Sequence, residues 1–221
     1  MATGADDGRP GGMNRPWFAR LLARASEIEA RKGGAAHRRR LLAGLEGRVV
    51  EVGAGTGNNF AHYPDAVTQV VAVEPEANLR AMASAAARAA PVPVQMLAAF
   101  AEDLPAPDGS MDAAVVAGVL CRVPDQARVL AELRRVLRPR GQLRFYEHVA
   151  ARNAVAAGVQ NGLAATVWPR VMGGCHPNRH TEASISAAGF DIEHCERFTS
   201  RPTMLSLPVA PRILGRARSR R

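Results

Sequence analysis

The stretch Val49-Val50-Glu51-Val52-Gly53-Ala54-Gly55-Thr56-Gly57 runs from an apolar strand into a turn built of glycines. Glycine permits positive φ and lets a ligand approach the backbone closely. The turn lies at the carboxyl end of its strand, where open α/β sheets bind their ligands. Its spacing is Gly-x-Gly-x-Gly. That is not the Gly-x-Gly-x-x-Gly of dinucleotide sites, and no lysine follows as in a P-loop, so nothing here is arranged around a pyrophosphate. Glu51, two residues before Gly53, would repel phosphates and suits a ligand carrying an ammonium and a sulfonium. Glu74, followed by Pro75, ends the next apolar run 21 residues after Gly53. A carboxylate there can accept from both hydroxyls of a ribose. Phe100-Ala101-Glu102-Asp103-Leu104-Pro105 follows the third run and offers a ring and a backbone N–H to an adenine. Each acid has a plainer alternative: Glu51 as a helix cap, Glu74 as the start of a turn, Glu102 and Asp103 as solvated loop acids. Their agreement at successive strand ends favours a cationic ligand that bears a ribose.

The elements that must hold these residues alternate. Strands are expected at 48–52, 69–73, 94–98, 111–116, 142–147 and 191–198, and helices at 15–32, 35–44, 56–62, 76–90, 125–138 and 180–188. The first, second and fourth strands are near-continuous apolar runs, as in strands covered on both faces. Alternation of this kind predicts a Rossmann-like, doubly wound α/β sheet. Residues 1–14, rich in Gly and Asp, are expected to be disordered. Residues 15–45 are expected to form N-terminal helices capping the site, and residues 150–180, poor in strand signal, to cap the sheet near its ligand.

The 221 residues carry a formal charge of +9, concentrated at the ends. Residues 1–40 hold nine basic and four acidic side chains, and residues 197–221 hold seven basic and none acidic. The span between is slightly acidic and aromatic residues do not interleave with the charges, so no nucleic-acid partner is expected. No apolar run reaches the ~20 residues that cross a bilayer, and no secretory signal is evident, so a cytoplasmic location is the default. The basic N-terminal helix with Trp17, Phe18, Leu21 and Leu22 leaves peripheral membrane contact open. The three cysteines, Cys121, Cys175 and Cys195, are spaced irregularly and imply no disulfide framework. Cys175, His176 and His180 are too few for a four-ligand site, and no metal is expected.

On these motifs the chain resembles the class I S-adenosylmethionine-dependent methyltransferases, with a type 11 methyltransferase domain over about residues 46–217. The resemblance rests on the glycine turn, Glu74, Ala101-Glu102-Asp103-Leu104-Pro105, the strand at 112–120 and Leu137-Arg138-Pro139-Arg140-Gly141. Val119-Leu120-Cys121, Glu147-His148-Val149-Ala150, Gly174-Cys175-His176, Asn178-Arg179 and Pro211-Arg212-Ile213-Leu214-Gly215 are most similar to the methyltransferase-like 7 group of thiol methyltransferases and its bacterial relatives. The resemblance implies about seven strands, mostly parallel, with one antiparallel edge strand from around 208–217. It implies S-adenosyl-L-methionine as cofactor and a small-molecule acceptor. Glu74 would then bind the ribose, and Glu51, Gly53, Ala54, Gly55, Thr56 and Gly57 would surround the methionine part with Gly118 and Val119. Pro75, Phe100, Ala101 and Glu102 would lie along the adenosine. Phe100 stands where many members have an Asp, Arg140 where they have a glycine, and the apolar membrane anchor of the thiol methyltransferases has no counterpart.

Methyl transfer from a sulfonium is an in-line displacement that needs position, desolvation and sometimes a base. A thiol acceptor reacts as its thiolate, which a base or positive charge favours. His148, directly after the fifth strand, is the first candidate for that base. Arg179 and His176 could hold an anionic acceptor or favour a thiolate, although Arg179 could equally stabilise its loop. Cys121 and Cys175 read as packing residues; Trp17, Phe18, Trp168 and Met172 could wall an apolar acceptor pocket, although aromatic residues at such spacing are usually core. Two other functions fit less well: lipid or quinone methylation at a membrane surface, and a non-catalytic nucleic-acid-binding module. A nicotinamide dehydrogenase is the nearest rival on fold alone.

Overall fold

A computed structural model describes residues 16–201 and 204–220; the segment 1–14 therefore lies outside the described residues. Seven strands form one sheet: β1 (Gly47–Val52), β2 (Val67–Val73), β3 (Val94–Leu97), β4 (Met111–Ala117), β5 (Leu137–His148), β6 (Phe190–Thr199) and β7 (Pro211–Ser219), in the order β3-β2-β1-β4-β5-β7-β6. The pairings from β3 through β5 are parallel. β7 runs antiparallel to both of its neighbours. It is antiparallel as expected, but it lies one place in from the edge. β6 takes the edge because the chain returns from it by a hairpin-like reversal that fills the gap beside β5.

The apolar strands sort their residues by the two-residue period of a strand. Val50 and Val52 of β1, with Val71, Val73, Ala114 and Val116, face a layer made by Val129, Leu130 and Leu133 of α4 (Gln126–Val136) and Ile185 of α7 (Thr181–Ala187). Val49, Val70, Ala72, Ala113 and Val115 face Leu41 and Leu42 of α2 (Ala35–Leu42) and Ala83 of α3 (Ala77–Ala87). Both faces are therefore covered, which is why these strands carry so few polar residues.

α1 (Pro16–Glu29) runs through a π-helical turn at Ala30–Gly34 into α2, the break falling at Gly33 with φ 102°. α3 and α4 begin at side-chain caps: Glu76 accepts from the Leu79 N–H at 2.7 Å, and Asp125 from those of Ala127 and Arg128. The helix expected at 56–62 is absent. Gly57 sits at φ 79° and only one 3-10 turn, Phe60–His62, follows. Strand β5 begins at Leu137, earlier than expected, with Arg140 in the left-handed region at φ 59°. Residues 150–180 contain α5 (Ala154–Ala165) and α6 (Trp168–Val171) and no strand. Gly158 and Gly162 inside α5 weaken its helix signal in the sequence. Gln160 anchors α5: its amide accepts from Ala151 N–H and donates to the carbonyls of Val149, Pro177 and Pro208.

Candidate active site

The strand order reverses between β1 and β4, and a cavity of about 830 Å³ opens at the carboxyl ends of the strands there. Its wall includes Glu51, Gly53, Ala54, Gly55, Thr56, Glu74, Pro75, Phe100, Ala101, Glu102, Gly118 and Val119. The glycine turn and Glu74 thus meet across one space, and they touch: Gly55 N–H donates to Glu74 Oε2 at 2.9 Å, and Glu76 N–H to Oε1 at 3.0 Å. Burial raises the Glu74 carboxyl, while those two N–H groups and the Arg122 charge pull it back toward the ionised form. At Gly118, with φ 69°, no atom lies within 4 Å of where a Cβ would stand. A side chain there would enter space that a ligand can use.

Glu51 is 2% exposed. Asn59 donates to its Oε1 at 2.9 Å and Tyr63 to its Oε2 at 2.6 Å. Burial raises this carboxyl to about 7, against the opposing pull of Tyr63, Asn59 and Arg38. Arg38 donates to Asn59 Oδ1 and faces Glu29 at the end of α1. Glu29 in turn pairs with Arg212 of β7 and accepts from Tyr146 of β5 at 2.8 Å. One polar chain therefore links α1 to the sheet along the cavity wall, where Leu22, Ser26, Glu29, Arg38, Tyr146 and Arg212 all appear.

Two expected site residues lie elsewhere. Gly57 is absent from the wall. A Cβ on it would meet Ala86 at 2.8 Å and the Phe60 ring at 2.9 Å, so this glycine lets the turn pack on α3. Arg179 is also behind the wall, its guanidinium donating to the Leu120 carbonyl at 2.8 Å; it braces the loop after β4. His148 and His176 do line the cavity, beside Pro169, Arg170, Gly173 and Gly174. Of the residues offered for an apolar acceptor wall, Trp17 is 59% exposed, while Trp168 and Met172 follow the core alternative and pack against Cys121, Cys175 and Val209. The side chain of Phe18 lies outside the described residues.

Several residues that position the site were not singled out for that task in the sequence. Glu147, 1% exposed, accepts from the N–H groups of Val119, Leu120 and Cys121 and fixes the loop after β4. Glu132 accepts from Leu104 N–H, and Arg135 donates to the carbonyls of Leu104 and Ala106. Together they hold the segment after β3; their i,i+3 spacing on a helix was the available hint. The cysteines form no disulfide. Among the described residues Cys175, His176 and His180 do not form a ligand cluster, whereas Cys121, His148 and Cys175 do. A hydrogen bond from Cys121, and after it His148, lowers the Cys175 thiol, and the same Cys121–Cys175 contact raises Cys121.

A glycine turn and two buried acids meeting at the carboxyl ends of a parallel sheet fit one class of protein, and a methyltransferase domain model matches residues 50–145. Mouse thiol S-methyltransferase TMT1B is 34% identical over 209 residues, covering 91% of this chain and 84% of that one. The ubiquinone/menaquinone biosynthesis C-methyltransferase UbiE of Syntrophotalea carbinolica is 32% identical over 76% of this chain and 74% of its own. The fold is shared with an S-adenosylmethionine-dependent methyltransferase from Mesorhizobium loti, at a TM-score of 0.60 and 21% identity over 86% of this chain and 99% of the other. The chain belongs to the S-adenosylmethionine-dependent methyltransferase family.

Proposed function

We propose that this methyltransferase transfers the methyl group of S-adenosylmethionine to the sulfur of a small thiol. The kinship with proteins named thiol S-methyltransferase along nearly the whole chain carries the reading. The cofactor supplies an electrophilic methyl on a sulfonium, and the protein supplies position, charge and dryness. Glu74 holds the ribose hydroxyls, with its carboxylate already aimed by Gly55 and Glu76. Glu51 takes the ammonium, and Phe100 with the Ala101 N–H takes the adenine. Gly118 and Val119 flank the methionine part.

The acceptor enters at the end walled by α1, α6 and the 173–176 loop, where Leu22 and Ser26 of α1 line the cavity. His148 and His176 are the imidazoles there that can take the thiol proton. Arg122, Arg170 and Arg212 on the same wall favour the thiolate. The test is a panel of thiols, phenols and amines offered with labelled cofactor. Label should appear on thiols; transfer only to oxygen or nitrogen would overturn the reading.

A second reading, methylation of an apolar acceptor at a membrane surface, is favoured by one observation. Val155 and Val159 on α5, Val167 just before α6 and Val171 at its end are exposed, at 77%, 57%, 51% and 41%, close in sequence to the wall residues Pro169 and Arg170. No helix of the described residues is long and apolar enough to cross a membrane. Co-sedimentation with anionic vesicles at low salt supports this reading, and no binding under those conditions ends it.

A further inference from the structure

Three elements meet beneath the acceptor end of the cavity. Cys121 comes from the loop after β4, His148 from the end of β5, and Cys175 from the loop before α7. Both sulfurs converge on the same ring nitrogen: Cys121 Sγ lies 3.4 Å and Cys175 Sγ 3.8 Å from His148 Nδ1. The nitrogen accepts from one thiol at a time, and the contact between Cys121 and Cys175 can serve the other; a shared cation engages all three atoms at once. With Zn–S near 2.3 Å and Zn–N near 2.0–2.1 Å, tetrahedral ligands stand about 3.6 Å apart, sulfur to nitrogen. The two observed separations bracket that value.

We infer that Cys121, Cys175 and His148 form a binding site for a soft divalent cation, zinc foremost, with its fourth position open to the cavity. All three ligand atoms lie within 4.8 Å of one another, and among the described residues no fourth protein ligand joins them. Structural zinc sites close with four protein ligands, whereas sites with three keep a position for a reactant. The two cysteines are buried, which keeps competing water away, while His148 and both neighbours of Cys175, Gly174 and His176, reach the cavity wall. Thiolate and imidazole together select zinc over magnesium or calcium.

The role of the ion in catalysis rests on the thiol reading above; the site itself does not. The acceptor thiol takes the fourth position as its thiolate; with His148 committed to the ion in place of acting as base, the proton leaves to His176 or water. The sulfur lone pair then attacks the methyl carbon. The new S–C bond forms as the bond to the sulfonium breaks, and that electron pair goes to the cofactor sulfur. The products are a neutral thioether, a poor ligand that departs, and S-adenosylhomocysteine.

The experiment is cobalt titration of chelator-stripped, reduced protein, followed by its absorption spectrum, with zinc content measured on protein purified without chelator. The expected result is one ion per chain with thiolate-to-cobalt charge-transfer bands, and affinity at least about tenfold weaker in Cys121→Ser, Cys175→Ser and His148→Ala. S-adenosylhomocysteine calorimetry on each variant shows that it is folded. The wild-type spectrum decides alone where a variant fails that control. Wild-type protein that binds S-adenosylhomocysteine but no cobalt, cobalt bound without thiolate bands, or a Cys121–Cys175 disulfide in reduced protein would each overturn the site. A chain that binds the ion and methylates no thiol ends the thiol reading and leaves the site. Thiol methylation undiminished in stripped protein ends the role of the ion in catalysis and leaves the thiol reading.

Discussion

With Glu51 at the cofactor's ammonium, as proposed, binding is coupled to pH. Burial holds its carboxyl at about 7, so in the ligand-free protein it is largely neutral below that value. An arriving ammonium favours the ionised form and forces the proton off. Binding then releases a proton at low pH and none at high pH, so affinity rises as pH climbs through 7. Calorimetry with S-adenosylhomocysteine should show a dissociation constant about 3–10-fold weaker at pH 6 than at pH 8. Glu51→Gln should bind more weakly at high pH and lose most of that dependence. A wild-type constant that is flat across the range would remove Glu51 from the ammonium site. Glu74 is the complementary case, since its two N–H partners fix the carboxylate without neutralising it. Losing hydrogen bonds from a charged group costs about 1.5–3 kcal/mol, so Glu74→Ala should weaken S-adenosylhomocysteine by about 10–100-fold. Unchanged affinity would show that the ribose lies elsewhere.

Helix α1 is fastened to the sheet by charge through Glu29, while its Trp17 and Leu21 are exposed. Burial would raise the Glu29 carboxyl, but the charges of Arg212 and Arg38, with hydrogen bonds from Arg212 and Tyr146, outweigh it and hold the group at about 2. A depressed carboxylate stabilises the fold above its unfolded value of 4.5, and that stability is lost as pH falls from there toward 2. Glu29→Gln should therefore lower the unfolding free energy by on the order of 3 kcal/mol at neutral pH, as read by denaturant melts. The gap between variant and wild type should narrow as pH drops below 4.5; a gap independent of pH would mean that Glu29 acts by packing alone. At the start of β5, Arg140 is exposed at φ 59°. A left-handed non-glycine residue costs roughly 1–2 kcal/mol, so Arg140→Gly should stabilise the fold by about 1 kcal/mol, net of the added chain entropy. A destabilised variant would show that the arginine side chain has a structural task.

At the scale of the whole molecule, the cavity is bounded by the ends of five strands and by α1, so its ligand should hold them together. A ligand at 100 times its dissociation constant adds about 2.7 kcal/mol. For a chain of this length S-adenosylhomocysteine should raise the melting temperature by about 5–10 °C. NAD should leave it unchanged, because the turn lacks pyrophosphate spacing and Glu51 repels phosphate. A shift with NAD and none with S-adenosylhomocysteine would return the chain to the dehydrogenase reading.

Most of the parallel sheet and the cofactor half of the site were legible in the sequence, because they depend on local order. The near-continuous apolar runs at β1, β2 and β4, the glycine spacing and the acids at successive strand ends are set by what lies within a few residues of each. Contacts between distant segments were not legible. The structure alone decided that Gly57 packs on α3, that Arg179 braces the Leu120 carbonyl, and that β7 lies inside the edge. It alone brought Cys121, His148 and Cys175 within reach of one another across 54 residues of sequence. No periodicity records such a meeting. A side chain's partner across the fold is fixed by the crossovers that bring strands together, and the energy that selects it is spread over the whole core.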